Sequence, residues 1–174
     1  MSHTQANSWQ SKIDLVHFRL CQLVSWFTLA MVLLTFLIVV LRYGFNIGWI
    51  AMQESVMYLH VMVFMLGAAH TLRANEHVRV DIFYRRFSPH AQAKVDIFGT
   101  LLLLMPVNFF VLWMSWDFVY QAWTIFESSP EAGGLPLVFA LKTLILVFAL
   151  TMNLQGFAEL LRLMIKPQRK ASLA

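Results

Sequence analysis

Three charged side chains sit where long apolar runs begin, end or continue, and their chemistry decides the reading. Arg42 closes the first run, Glu54 opens the second, and Lys142 lies inside a fourth that restarts at Pro136. If a helix starts at that proline, Lys142 is about 9 Å below its end by helical rise. Charges at such depth are costly and are usually paired or drawn toward the interface. One chemistry open to them is proton or ion handling. The other is structural: Glu54 paired with Arg42 or with Lys142, tying helix ends together or docking a partner. The structural reading is preferred, because none of the three lies near a membrane midplane, where transport sites are usually built. His60 and His70 raise a haem or metal hypothesis. Ten residues apart on one helix, they point about 80° apart and lie about 15 Å apart along the axis, so they cannot share one ion. Polar packing is the better account of each. His77 and Asp81, beside Glu76 and Arg79, supply two potential ligands in a connection, which reads as a local turn rather than a metal site. There is no nucleophile–base pair, phosphate-binding glycine loop or cysteine-ligand pattern, and the lone Cys21 reads as a packing residue. Neither catalysis nor a metal centre is expected.

The elements that must position these groups are legible from hydropathy. Residues 21–41, 55–72, 97–116 and 143–158 contain no Asp, Glu, Lys or Arg. A helix needs about 20 mostly apolar residues to cross a hydrocarbon core of about 30 Å. Hydrophobic residues make up 59% of the chain and charged ones 13%, about half the usual globular share. A soluble domain and a disordered chain are both excluded. The expectation is an all-α membrane protein, one domain over 1–174, with spans at about 20–42, 53–72, 93–118 and 136–158. The net charge of +4 does not indicate nucleic acid, because 11 of the 13 Lys and Arg residues fall before the first charge-free run, between the second and third, or after the fourth. That asymmetry predicts cytoplasmic N- and C-termini. No cleavage-site pattern follows span one, which is expected to stay as a helix.

Between the spans the chain carries local signals. Residues 1–11 are polar and expected to be loose, with 12–20 an interfacial lead-in. Gly44 and Gly48 have G-x-x-x-G spacing but fall in a connection, which removes the dimer reading. In 78–87, Val78, Val80, Ile82, Phe83 and Phe87 alternate with Arg79, Asp81, Arg85 and Arg86. This cytoplasmic segment, with Arg73 just before it, fits either an anionic lipid surface or another protein. Ser88-Pro89 reads as a helix start, and Pro106 as a kink in span three. The outer loop 117–134 holds Asp117, Glu127 and Glu131 and no basic residue, and Gly133-Gly134-Leu135-Pro136 ends it. Tyr43, Trp49, Trp113, Trp116, Tyr120 and Trp123 form an aromatic belt.

Taken in order, Arg42, Trp49, Glu54, Phe64-Met65-Leu66-Gly67-Ala68-Ala69-His70, Arg73 and Glu76-His77-Val78-Arg79-Val80-Asp81 resemble the small membrane subunit (Q subunit) of tripartite ATP-independent periplasmic (TRAP) transporters. Glu127-Ser128-Ser129, Gly133-Gly134-Leu135-Pro136 and Lys142 are similar to the branch linked with 2-oxo acid, mannitol-type or haloaromatic systems. The resemblance implies a non-catalytic subunit in the bacterial inner membrane. Its implied partners are a large elevator-type membrane subunit, a periplasmic substrate-binding protein and membrane lipids. Sodium is expected on the large subunit and no cofactor in this chain. Trp49, Asp117, Glu127 and Glu131 would then help dock the binding protein, and the cargo would be an organic acid. Two rivals remain: a four-helix haem or quinone anchor of a respiratory complex, and a self-sufficient exporter using Glu54 as a proton site.

Overall fold

No glycine or proline interrupts the chain from Ser2 to Tyr43, and both are the residues that most disfavour a helix interior. It folds as one helix, α1 (Ser2–Gly44). The computed structural model describes residues 2–74, 81–84 and 86–165. The expected loose N-terminus is therefore helical from Ser2, continuous with the first span. The apolar runs give α2 (Ile50–Ala74), α4 (Pro89–Gly99) with α5 (Met105–Thr124), and α6 (Val138–Ile165), and one short turn, α3 (Asp81–Tyr84), precedes α4. Every described helix and connection is free of strand. Four segments are long and apolar enough to cross a membrane: Val24–Gly44, Ile50–Ala74, His90–Thr124 and Val138–Leu163. In hydrocarbon a helix satisfies its own backbone donors and acceptors, which is why such runs must coil.

Span three differs from a simple kinked helix. Ser88 caps α4, its Oγ accepting from the Ala91 amide at 3.4 Å, with Pro89 in the first turn. Above α4 the chain widens into a π-helical segment, Thr100–Leu104, where the Met105 amide donates to the Thr100 carbonyl five residues back. Pro106, which cannot donate, follows at once. A widened turn here accommodates the missing donor without ending the span. Asn108 Nδ2 donates to the Leu104 carbonyl at 2.8 Å, which keeps this buried amide partnered.

The spans lie in the order α1, α2, α6, α5. Helix α2 packs on α1 and on α6, and α6 also packs on α5, while α1 and α5 stand at opposite ends of the row. Helix α6 is the most covered, and buries Ala149, Met152, Gln155, Ala158 and Leu160. Gly156 makes its close approach to span three possible: a Cβ there would sit 2.7 Å from Leu104 Cδ2 and 3.4 Å from Thr100 Cγ2. The hairpins α1–α2 and α5–α6 thus meet along α2 and α6, and two charged groups lie near that seam.

Candidate functional site

The connections 45–49 and 125–137 share one end of the row, here called the acidic end. At the first, the Phe45 and Ile47 amides both donate to the Leu41 carbonyl, at 3.1 and 3.0 Å. Asn46 takes a left-handed φ of 57°, a conformation that asparagine tolerates better than most residues. The second connection leaves α5 through Phe126 at φ 47°. It then closes on itself: the Ser129 amide donates to the Leu135 carbonyl at 3.1 Å and the Gly134 amide to the Glu131 carbonyl at 3.0 Å. Ser129 Oγ also accepts from the Glu131 amide at 3.2 Å.

Glu54, in the first turns of α2, reaches across to this loop. One carboxylate oxygen accepts from the Ser129 hydroxyl. The other accepts from the Leu135 amide at 2.6 Å. Gly134 lies beneath: a Cβ there would fall 2.6 Å from Ser129 Cβ and 2.8 Å from Glu54 Oε1. Only a residue without a side chain fits. Its neighbour Gly133 adopts a φ of 82°, in the region that glycine occupies freely. The carboxylate therefore ties the start of α2 to a loop more than 70 positions away in sequence.

Lys142 forms a separate contact one turn into α6. Its Nζ donates to Glu127 Oε1 at 2.7 Å and Oε2 at 2.5 Å, with side-chain exposures of 19% and 30%. The ammonium also lies 3.9 Å from the centroid of the Phe118 ring, an arrangement in which ring and carboxylate both face the cation. Beside it, Trp123 Nε1 donates to Thr143 Oγ1 at 2.8 Å, and the rings of Trp123 and Phe126 both pack edge-on against Phe139. These contacts clasp α5 to α6.

Of the three charges, Lys142 thus pairs with an acid of its own chain, Glu127, and the expected partners of Glu54 are replaced. Glu54 faces neither Arg42 nor Lys142, because loop amide and hydroxyl donors reach it first. Arg42 is exposed and makes no ion pair among the described residues. Glu127, assigned to docking, is occupied by Lys142. Asp117, assigned to the outer loop, lies within α5 about 10 Å before its end, because that helix continues to Thr124 rather than stopping near 118. Lys142 is about 6 Å into its helix, since α6 starts at Val138 rather than Pro136. Trp49 and Glu131 are exposed at the acidic end. At the opposite end Arg73 is half-buried and Arg86 exposed. There the Tyr84 hydroxyl donates to Asp96 Oδ2 at 2.9 Å, and Gln92 Nε2 donates to the Tyr84 carbonyl at 3.1 Å, fastening α3 to α4. Arg79, Arg85 and the Asp81 side chain lie outside the described residues, as do Val78 and Val80 of the interfacial segment expected over 78–87.

Ser129, Gly134 and Leu135 were not singled out as partners of Glu54. The closely spaced Ser and Gly-Gly-Leu-Pro were the available signal, but nothing local marks which distant carboxylate they receive.

Four helices long and apolar enough to cross a membrane, packed in a row and cross-tied at one end, define a multi-pass membrane protein. The family model for the DctQ component of tripartite ATP-independent periplasmic transporters matches residues 31–166, and the chain belongs to that family. A protein of Haemophilus influenzae that bears the name of a TRAP transporter small permease protein is 36% identical over 75 residues, 43% of this chain. The match spans about half of that relative's length (47%). No solved structure matches the chain.

Proposed function

We propose that this chain is the small, non-catalytic permease subunit of a sodium-dependent TRAP transporter of a bacterial inner membrane. It braces the stationary scaffold of a large elevator-type subunit during uptake of an organic acid. The carrying observation is the cross-tie: Glu54 fastens one helical hairpin to the loop of the other, while Lys142 and Glu127 fasten that loop's start to α6. Such an arrangement resists relative movement of the four spans, as a brace must. The distribution of basic residues supports an orientation with both termini in the cytoplasm and the acidic end in the periplasm. There the exposed Trp49 and Glu131 are placed to help meet a substrate-binding protein.

Deleting the chain from cells that express the whole transporter is expected to abolish uptake while the binding protein still binds its ligand. Full uptake by the large subunit without this chain would overturn the bracing role.

A further inference from the structure

Most side chains on α2 are covered by its neighbours α1 and α6, but one stripe is not. Gln53, Met57, His60 and Phe64 are exposed, and they fall within about 60° of arc on the helix. Gly67 and Thr71 continue the stripe, so its members recur at alternating intervals of four and three. That is the spacing of a seam that receives a second helix at a shallow left-handed crossing. Three features distinguish it from a face turned to lipid. His60 lies about 9 Å deeper than Glu54 along the helix, well within the apolar span. Its ring meets Phe64, with centroids 4.7 Å apart, yet the imidazole makes no hydrogen bond among the described residues. The Gln53 amide, about two turns toward the acidic end, has no side-chain partner among the described residues either. Polar groups that face outward at membrane depth are costly in hydrocarbon and favourable against a helix that can hydrogen-bond. Finally, a Cβ built on Gly67 meets nothing within 4 Å, so the same stripe has a shallow notch where another backbone can approach closely. On α5 the exposed residues at mid-span, Phe109, Phe110, Trp113 and Met114, are apolar, and the exposed Asp117 beside them lies nearer the acidic end, about 10 Å from the end of its helix, where His60 is about 15 Å from the start of α2.

We infer that the stripe Gln53–Met57–His60–Phe64–Gly67–Thr71 seats one transmembrane helix of the large subunit, with His60 and Gln53 hydrogen-bonding to polar side chains on it. The inference rests on the bracing reading above and adds the surface through which bracing acts.

The test is photo-cross-linking in cells expressing the full transporter, with p-benzoylphenylalanine placed at Met57, Phe64, Leu33 of α1 or Phe110 of α5. Strong adducts to the large subunit from positions 57 and 64, and weak ones from 33 and 110, are the expected result. A His60→Leu variant should also associate about 3- to 20-fold more weakly with the large subunit, the range for one interhelical hydrogen bond in a membrane. A lipid-facing His60 would instead leave association unchanged. Equal adduct yields at all four positions, adducts to a second copy of this chain, or none at 57 and 64 while the large subunit co-purifies, would each overturn the seam and leave the bracing reading intact. Failure of the large subunit to co-purify at all would overturn both.

Discussion

Replacing Gly134 by alanine adds a single methyl group, and the structure determines where it must go. The new Cβ would lie 2.6 Å from Ser129 Cβ and 2.8 Å from Glu54 Oε1. Non-bonded carbons settle at about 3.5–4.0 Å, so the Ser129 side of the loop must retreat by about 1 Å. That retreat pulls the serine hydroxyl from Glu54 and strains the 129–135 closure. Overpacking of this kind costs about 1–3 kcal/mol. In a chain of this length each kcal/mol corresponds to about 2–4 °C in Tm, so Gly134→Ala should lower the Tm of the detergent-purified protein by about 2–12 °C. The matched control is Gly48→Ala, where a Cβ meets nothing within 4 Å, and little change is expected. A second background isolates the cause. Ser129→Gly removes two of the three atoms that the new methyl meets, so Gly134→Ala should cost clearly less there than in the parent, a coupling that a double-mutant cycle reads directly. If Gly134→Ala melts with Gly48→Ala, or if its cost is the same with and without Ser129, the close packing of loop, serine and glutamate is wrong.

Two further outcomes follow from the same end of the molecule. Glu54→Ala should leave the Leu135 amide without its acceptor, raising its hydrogen-exchange rate along with that of the rest of 129–135, whereas amides in the middle of α6 keep their protection; an unchanged Leu135 amide would remove the cross-tie. Lys142→Met should destabilise the protein by about 1 kcal/mol by leaving Glu127 half-buried and unpaired, and Lys142→Met with Glu127→Gln should recover most of that loss in thermal unfolding.

Mutations here act through contacts that sequence reading located only in part. Glu54 and Lys142 stood out because a charge in or beside an apolar run needs an explanation, and hydropathy marks such a position with no knowledge of the fold. Their partners did not stand out in the same way. Glu127 read as one acid of a loop because its distance from Lys142 depends on how α5 ends and α6 begins, and both helix ends shifted by several residues relative to the apolar runs. The start of α1 was misjudged for a related reason: polar residues at 2–11 resemble a loose tail, but with no glycine or proline to stop it, the helix simply continues.

What the amino-acid order determined by itself is the number of crossings, since a stretch of about 20 apolar residues has no other way to satisfy its backbone in hydrocarbon. It also determined the cap at Ser88 and Pro89, because that signal acts between residues a turn apart. Only the tertiary structure decided the row α1, α2, α6, α5, the tie from Glu54 to Ser129 and Leu135, and the open stripe on α2. Each of these joins residues far apart in the chain, and helical periodicity says which residues share a face but not which face meets which.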